Sequence, residues 1–385
     1  MSLLRLADTH PPFALLDALR EHVARLGSVR DVHLLLIDYA EQTLVQARRV
    51  GPRLVGDPYP VDRSEAGRAF LTQQILTRAS EGVHCVYAPV TVRAERLGVL
   101  AVELVAEPDH QFIRQIMDVS VDVAYILLSA RRYTDCFEQL RRRQDLELPA
   151  EIQWELLPVL AYDSEEFSLA GSLEPAYEIG GDTFDYATDA AALTVSVTDA
   201  MGHGLRAAVL SSLATAAQRN ARRRQRSLLG QVEAVNAALH SQFGGEAFVT
   251  EFILRFDLAT GGATVVNAGH PVAYRMRGLA IDDLSVDPDI PLGLFPGTPF
   301  HEHQLHLQAG DRFILITDGV LETRPDSGEP FGVSRLRAVL SEVRDARPYE
   351  VTRRLTQAVL RYRGGSLRDD VTVVCIDWRG RPPHG

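Results

Sequence analysis

The stretch Glu178–Ala187, EIGGDTFDYA, sets Gly180, Gly181, Asp182 and Asp185 inside a run whose Ile179, Phe184 and Tyr186 suit a buried pleated surface. Glycine weakens a strand and marks a bulge or the close approach of another backbone. A buried carboxylate without a partner is costly. Together they point to a cation at the edge of a sheet. Other acids stand in the same context. Asp199 ends the apolar run LTVSVTDA (193–200), and Asp318 ends DRFILITDG (311–319). Asp369 and Asp370 immediately precede VTVVCIDW (371–378). Carboxylates gathered within ligand distance cannot all stay ionised without a cation. Oxygen donors suit magnesium or manganese, not zinc or copper. Two such ions, ~3.5–4 Å apart, hold a phosphoryl group and a water between them. Asp-Gly is also a common turn signal, so any one site alone reads as a turn. The four together read as metal.

The chain has 385 residues, 46% of them hydrophobic, with a net charge of −11. That length and composition predict two domains. The negative charge argues against nucleic acid as the main partner. Cys85, Cys136 and Cys375 are far apart and odd in number, which predicts no disulfide framework and a reducing, cytoplasmic setting. The first residues carry early charge and prolines, unlike a signal peptide. No apolar run reaches ~18 residues, so no membrane span is expected.

In the first third, Phe13, Leu16, Leu19, Val23 and Leu26 have helical spacing, and 32–39, 83–90 and 96–106 read as strands. Residues 87–104, YAPVTVRAERLGVLAVEL, resemble the last hairpin of a GAF sensor domain. The resemblance implies a GAF-like sensor domain over 1–128, of a fold that often binds a small molecule, with no ligand motif in this stretch and with plain packing and spacing as the alternative reading. Phe112, Ile116, Val119, Val123, Ile126, Ala130, Tyr133, Phe137 and Leu140 step by four and three across 109–143. That is a heptad seam, although a helix docked on its own domain has nearly the same spacing. The seam predicts a helical or coiled-coil linker at 129–148 and a homodimer through residues 109–143.

Residues 149–378 alternate strand runs, hairpin signals and two helix pairs, at 203–220 with 228–243 and at 332–343 with 349–363. This predicts a layered α/β (α+β) architecture, ahead of a disordered tail at 379–385. Six motifs occur in order here: EIGGDTFDYA, TDAMGHGLRAA, NAGHP, PLGL, LITDGVLETR and RDDVTVV. They resemble the metal-dependent serine/threonine phosphatases of the 2C (PPM) class, in the bacterial branch that contains the sporulation and stress-response sigma-pathway phosphatases. The fold this implies is a four-layer α-β-β-α sandwich over 149–378.

The resemblance implies roles residue by residue. Asp182 would ligate one of two Mn2+ or Mg2+ ions. Asp199 would bridge both, with the Ala200 carbonyl as a further ligand. Asp318 and Asp369 would hold the other ion, with Asp370 beside them and the choice within that doublet open. Asp185 would orient water. A two-metal activated water would then attack phosphorus with no protein nucleophile. The implied substrate is a phosphoserine or phosphothreonine protein, an anti-anti-sigma factor of a partner-switching pathway. The alternative is a catalytically silent docking protein or ligand-sensing scaffold, against which all the acid positions are filled. The sequence departs from the animal members, which have a histidine two residues after the bridging aspartate, where Met201 stands here. His203 and His270 read as turn residues near the site. His301, His303 and His306 read as an edge strand, not a zinc site, for want of spaced partners. Pro149 is expected to break the helical pattern. A joint over 130–160 would then let Ile152, Trp154, Leu156 and Leu157 pack near Asp182.

Overall fold

Alternating apolar residues and short turns build three antiparallel sheets in two units, Met1–Asp145 and Leu146–Gly385. The computed structural model describes residues 3–51, 53–80, 82–174, 180–326, 328–365 and 367–380. Glu178, Ile179 and the tail from 381 onward therefore lie outside the described residues.

The first unit opens with helices α1 (Leu3–Thr9) and α2 (Leu15–Ala24). Its strands are β1 (Val29–Ile37), β2 (Thr43–Val50), β3 (Arg53–Pro60), β4 (Leu76–Ser80), β5 (Val83–Val92) and β6 (Glu95–Leu104), with α3 (Glu65–Thr72) between β3 and β4. They form one sheet in the order β3-β2-β1-β6-β5-β4. The expected hairpin is β5–β6, with Arg93 and Ala94 at positive φ in its turn.

Helix α4 (His110–Ala130) starts at Asp109, whose carboxylate accepts the Phe112 N–H at 2.7 Å. The continuous helix expected over 109–143 is corrected here. The chain turns after Ala130, and α5 (Cys136–Arg141) folds back on the sheet. Phe112, Ile116, Val119, Val123, Ile126, Ala130, Phe137 and Leu140 all enter one core with Leu34, Leu100 and Val102. Only Tyr133 of the predicted seam is open, at 65% exposure. Polar contacts fix the fold-back. Arg131 pairs with Glu138 at 2.9 Å, and Glu138 accepts the Tyr39 hydroxyl at 2.6 Å. Arg141 donates to the Ile37 carbonyl at 2.9 Å. The homodimer through this seam is corrected with the helix, because its apolar face is already covered by the chain's own sheet. The linker shrinks accordingly, since residues through Arg141 pack on the first unit.

The second unit begins with α6 (Leu148–Leu156), where Pro149 lies in the first turn. Proline opens this helix and does not break it, because the first-turn N–H groups have no intrahelical acceptor anyway. Then come β7 (Ala161–Asp163), β8 (Phe167–Glu174), β9 (Thr183–Thr188), β10 (Ala192–Ala200), α7 (Leu205–Arg223) and α8 (Leu228–Phe243). They are followed by β11 (Val249–Asp257), β12 (Gly262–Ala268), β13 (Tyr274–Arg277), β14 (Ala280–Asp283), β15 (His303–His306) and β16 (Arg312–Ile316). Last are α9 (Asp318–Glu322), α10 (Gly332–Glu342), α11 (Pro348–Arg363) and β17 (Val371–Trp378).

The strands form two sheets, β15-β12-β11-β10-β9 and β14-β13-β16-β17-β8-β7. Phe184, Val195, Val197, Phe252 and Leu254 of one meet Phe167, Leu169, Phe313, Leu315 and Val374 of the other. Each buried phenyl ring in that layer stabilises by about 1.5–3 kcal/mol. Leu210, Ala214, Val232 and Leu239 cover the outside of the first sheet. Leu336, Leu340, Val351, Leu355 and Val359 cover the outside of the second. The result is the expected four-layer α-β-β-α sandwich. Among the described residues, no helix is long and apolar enough to cross a membrane.

Candidate active site

Strand geometry delivers the acids to one end of the sandwich. Asp182 immediately precedes β9, and Asp199 is the penultimate residue of β10. Asp318 opens α9 directly after β16, and Asp370 sits one residue before β17. Asp182 is the best-fixed of them. Its Oδ2 accepts the Thr372 hydroxyl at 2.9 Å and the Thr317 hydroxyl. Its backbone N–H donates to Asp370 Oδ2 at 3.1 Å. From α6, the Gln153 amide donates to the carbonyls of Gly180 at 2.8 Å and Asp182 at 2.9 Å, and reaches Asp370 Oδ2 at 3.4 Å.

The two glycines of the opening stretch now have physical reasons. A methyl on Gly180 would stand 1.7 Å from Asp370 Oδ2. One on Gly181 would stand 2.4 Å from the Ala200 carbonyl oxygen. Gly319 is equally tight, since a methyl there would lie 1.9 Å from the Asp370 carbonyl oxygen. Only hydrogen fits where three segments of backbone close on the acids.

The charges confirm the crowding. Burial, then Asp370 and Asp199, push the Asp182 carboxyl well above the ordinary carboxylate range. Burial, then Asp318, Asp369 and Asp370, push Asp199 up to about 7. Burial and then Asp369 raise Asp318, while burial leads and Glu322 adds for Asp369. Burial raises Asp370 to about 7, against the hydrogen bonds from Asp182 and Gln153. Like charges held this close favour a proton or a cation among them. Among the described residues, no three His, Cys, Asp or Glu side chains are already closed round one point. The fit to a hard divalent ion is therefore in donor chemistry and charge: all-oxygen donors, mutual repulsion and a backbone trimmed to glycine.

Asp182, Asp199, Asp318, Asp369 and Asp370 lie within electrostatic reach of one another, and the Ala200 carbonyl lies against Gly181. The doublet divides by burial. Asp370 is 2% exposed and braces the Asp182 turn, whereas Asp369 is the more open of the two, with its carboxylate in the field of His203. The expected water-orienting role of Asp185 is corrected. Side chains alternate along a strand, and Phe184 and Tyr186 face the core between the sheets. Asp185 thus points to the other face, where Arg219 and Arg222 of α7 hold it at 2.8 and 2.9 Å. Next to it, Glu251 is fully buried, and burial followed by Asp185 pushes its carboxyl up to about 8. His270 is a structural residue. It bonds the Thr250 hydroxyl at 2.8 Å and the Ile316 carbonyl at 3.1 Å, and burial lowers its pKa to about 3. His303 and His306 lie on edge strand β15. Sequence reasoning missed Thr317, Thr372, Gln153 and Glu251. Only Thr372 carried a signal, being two residues from Asp370 and so on its face of the strand.

Residues 189–379 match the family model described as Stage II sporulation protein E (SpoIIE). Phosphoserine phosphatase RsbU of Bacillus subtilis is 21% identical over 236 residues, covering 61% of this chain and 70% of RsbU. Protein IcfG of Synechocystis is 24% identical over 263 residues, covering 61% of this chain but only 41% of IcfG. Among solved structures, the SiaA-PP2C domain of Pseudomonas aeruginosa superposes with a TM-score of 0.51 at 22% identity. That match covers 60% of this chain and 93% of the SiaA domain, and it shows a shared fold. Residues 189–379, with the ordered motifs and the four-layer sandwich in agreement, carry a SpoIIE-family, PP2C-type phosphatase domain.

Proposed function

We propose that the chain is a protein phosphoserine/phosphothreonine phosphatase that works with two Mn2+ or Mg2+ ions at the Asp182–Asp199–Asp318–Asp369 cluster. The observation that carries this reading is the group of mutually repelling carboxylates at the strand ends, closed round by Gly180, Gly181 and Gly319. When bound, the ions supply charge neutralisation of the phosphoryl oxygens and an activated water. Asp199 feels the charge of Asp182, Asp318, Asp369 and Asp370 and would serve both ions, with the Ala200 carbonyl beside it. Asp182 serves one ion, its carboxylate oriented by Thr317 and Thr372. Asp318 and Asp369 serve the other. Asp370 holds the Asp182 turn and does not bind metal directly.

The substrate in this reading is a phosphorylated anti-anti-sigma protein of a partner-switching pathway. Support comes from the family motifs and from a relative named phosphoserine phosphatase RsbU. The N-terminal unit acts as a sensory module of GAF type. Three free cysteines support work in the cytoplasm. The test is phosphate release from phosphoserine anti-anti-sigma proteins by the full chain, with manganese and with chelator. Release that needs manganese supports the reading. Equal release in chelator, or none from any phosphoserine or phosphothreonine protein in the presence of manganese, contradicts it.

A further inference from the structure

One of the residues that tie the Asp182 turn to the rest of the domain is an uncharged one on α6. Gln153 is buried at 2% exposure, on a helix whose neighbouring positions are partly open. Its amide has two protons. The Gly180 and Asp182 carbonyls take them at 2.8 and 2.9 Å, and Asp370 Oδ2 shares at 3.4 Å. All three acceptors belong to the site. The same helix is pinned at its other end, where Arg219 donates to the Leu156 carbonyl at 2.6 Å while paired to Asp185.

We propose that Gln153 is a positioning residue that sets metal affinity, by fixing the two carbonyls that flank Gly181 and thereby the direction of the Asp182 carboxylate. The inference rests on the metal-dependent phosphatase reading and deepens it. Asp182 is held from three sides. Two threonine hydroxyls fix one carboxylate oxygen, Asp370 receives its N–H, and Gln153 fixes the backbone on both sides of the turn. Thr372 lies on β17 of the facing sheet, and Thr317 and Asp370 sit at the ends of β16 and β17. Gln153 braces the turn from a helix outside the sheets, at the two carbonyls on either side of the one that Ser211 of α7 holds. Without it, Gly180 and Gly181, which have no side chains of their own to anchor them, keep only the remaining contacts of the turn. Those include the Gly181 carbonyl, which accepts the Ser211 hydroxyl and the Ala200 N–H. Partners that orient metal ligands typically change affinity by about 10–100-fold when removed.

The test uses the full chain and reads Mn2+ binding directly, by calorimetry and by the paramagnetic resonance signal of free manganese. Gln153→Met keeps the volume and removes the donor. Glu155→Ala, exposed on the same helix, is the control. The expected result is wild-type affinity in Glu155→Ala and a loss of about 10–100-fold in Gln153→Met. Turnover of the variant should recover at high manganese, so that the metal requirement shifts more than the maximal rate. A merely structural role would lower the unfolding midpoint and leave manganese affinity per folded molecule unchanged. If Gln153→Met does not fold, Gln153→Asn, which keeps the amide but is one methylene short, is read the same way. Wild-type affinity in a folded variant overturns the role of Gln153 and leaves the phosphatase reading standing. Failure of the wild-type chain to bind manganese at all overturns both.

Discussion

Replacing Gly180 with alanine adds one methyl group at the most crowded point of the site. The effect must come from contact. The new carbon would stand 1.7 Å from Asp370 Oδ2 and 1.9 Å from its Cγ, where side-chain carbons do not come closer than 3.0 Å. The Asp370 carboxylate must therefore move by about 1 Å or more, a displacement that near a reacting centre costs on the order of 10²-fold in rate. Moving it breaks the bond from the Asp182 N–H at 3.1 Å and the reach from Gln153 at 3.4 Å. A buried N–H left without an acceptor costs about 1–3 kcal/mol. The assay is phosphate release from a phosphoserine protein across a manganese titration, with urea unfolding alongside. Gly180→Ala should lose turnover by about two orders of magnitude, need more manganese, and unfold at lower urea. Gly365→Ala, whose methyl meets nothing within 4 Å, should match the wild type in all three. Unchanged turnover and manganese demand in Gly180→Ala would refute the argument that glycine is there to admit Asp370.

Other outcomes follow from the same geometry. The Glu251 carboxyl, raised to about 8, favours the neutral folded form. Its contribution to stability is complete below the unfolded value of ~4.3 and is lost as pH rises toward its folded value. Glu251→Gln should therefore gain on the wild type between pH 5 and pH 8 in urea midpoint, and an equal difference at both pH values would contradict this. Phe184→Ala empties the layer between the two sheets and should cost about 3–5 kcal/mol of unfolding free energy. Phe137→Glu should destabilise the first unit in thermal unfolding, because the ring lies in that unit's own core. A stable variant altered only in association state would restore the seam reading.

What was legible in the chain was local. An apolar run with an acid at its end or just before its start declares both its strand and its acid, so Asp199, Asp318 and Asp369 are legible without their partners. Gly180 and Gly181 declared a close approach, though not to what. The partners of Asp182 were not legible, because Thr317 is 135 positions away and Gln153 reaches Asp370 across 217. Nothing in LPAEIQWELL marks its glutamine as different from any polar helix residue. The heptad at 112–140 misled for a physical reason: steps of three and four serve a helix docked on a sheet as well as a coiled coil. The turn after Ala130 and the Glu138–Arg131–Arg141 network decided between them, and neither follows a periodic rule. Asp185 falls on the opposite face from Asp182 by the strand period alone, because three positions along a strand reverse the face. Asp182 and Asp185 were never placed to share one site.

The central claim is that the strand-end carboxylates form one metal-dependent phosphatase site organised on Asp199. The most direct measurement is manganese-dependent phosphate release from a phosphoserine protein by the full chain and by Asp199→Asn, with Mn2+ binding measured on the same samples. The amide keeps the shape of the side chain and removes the charge shared among Asp182, Asp318 and Asp369. The account predicts that the wild type releases phosphate only with manganese, and that Asp199→Asn binds the ion weakly and loses most turnover at any manganese concentration. Full turnover by Asp199→Asn with metal binding intact would contradict it.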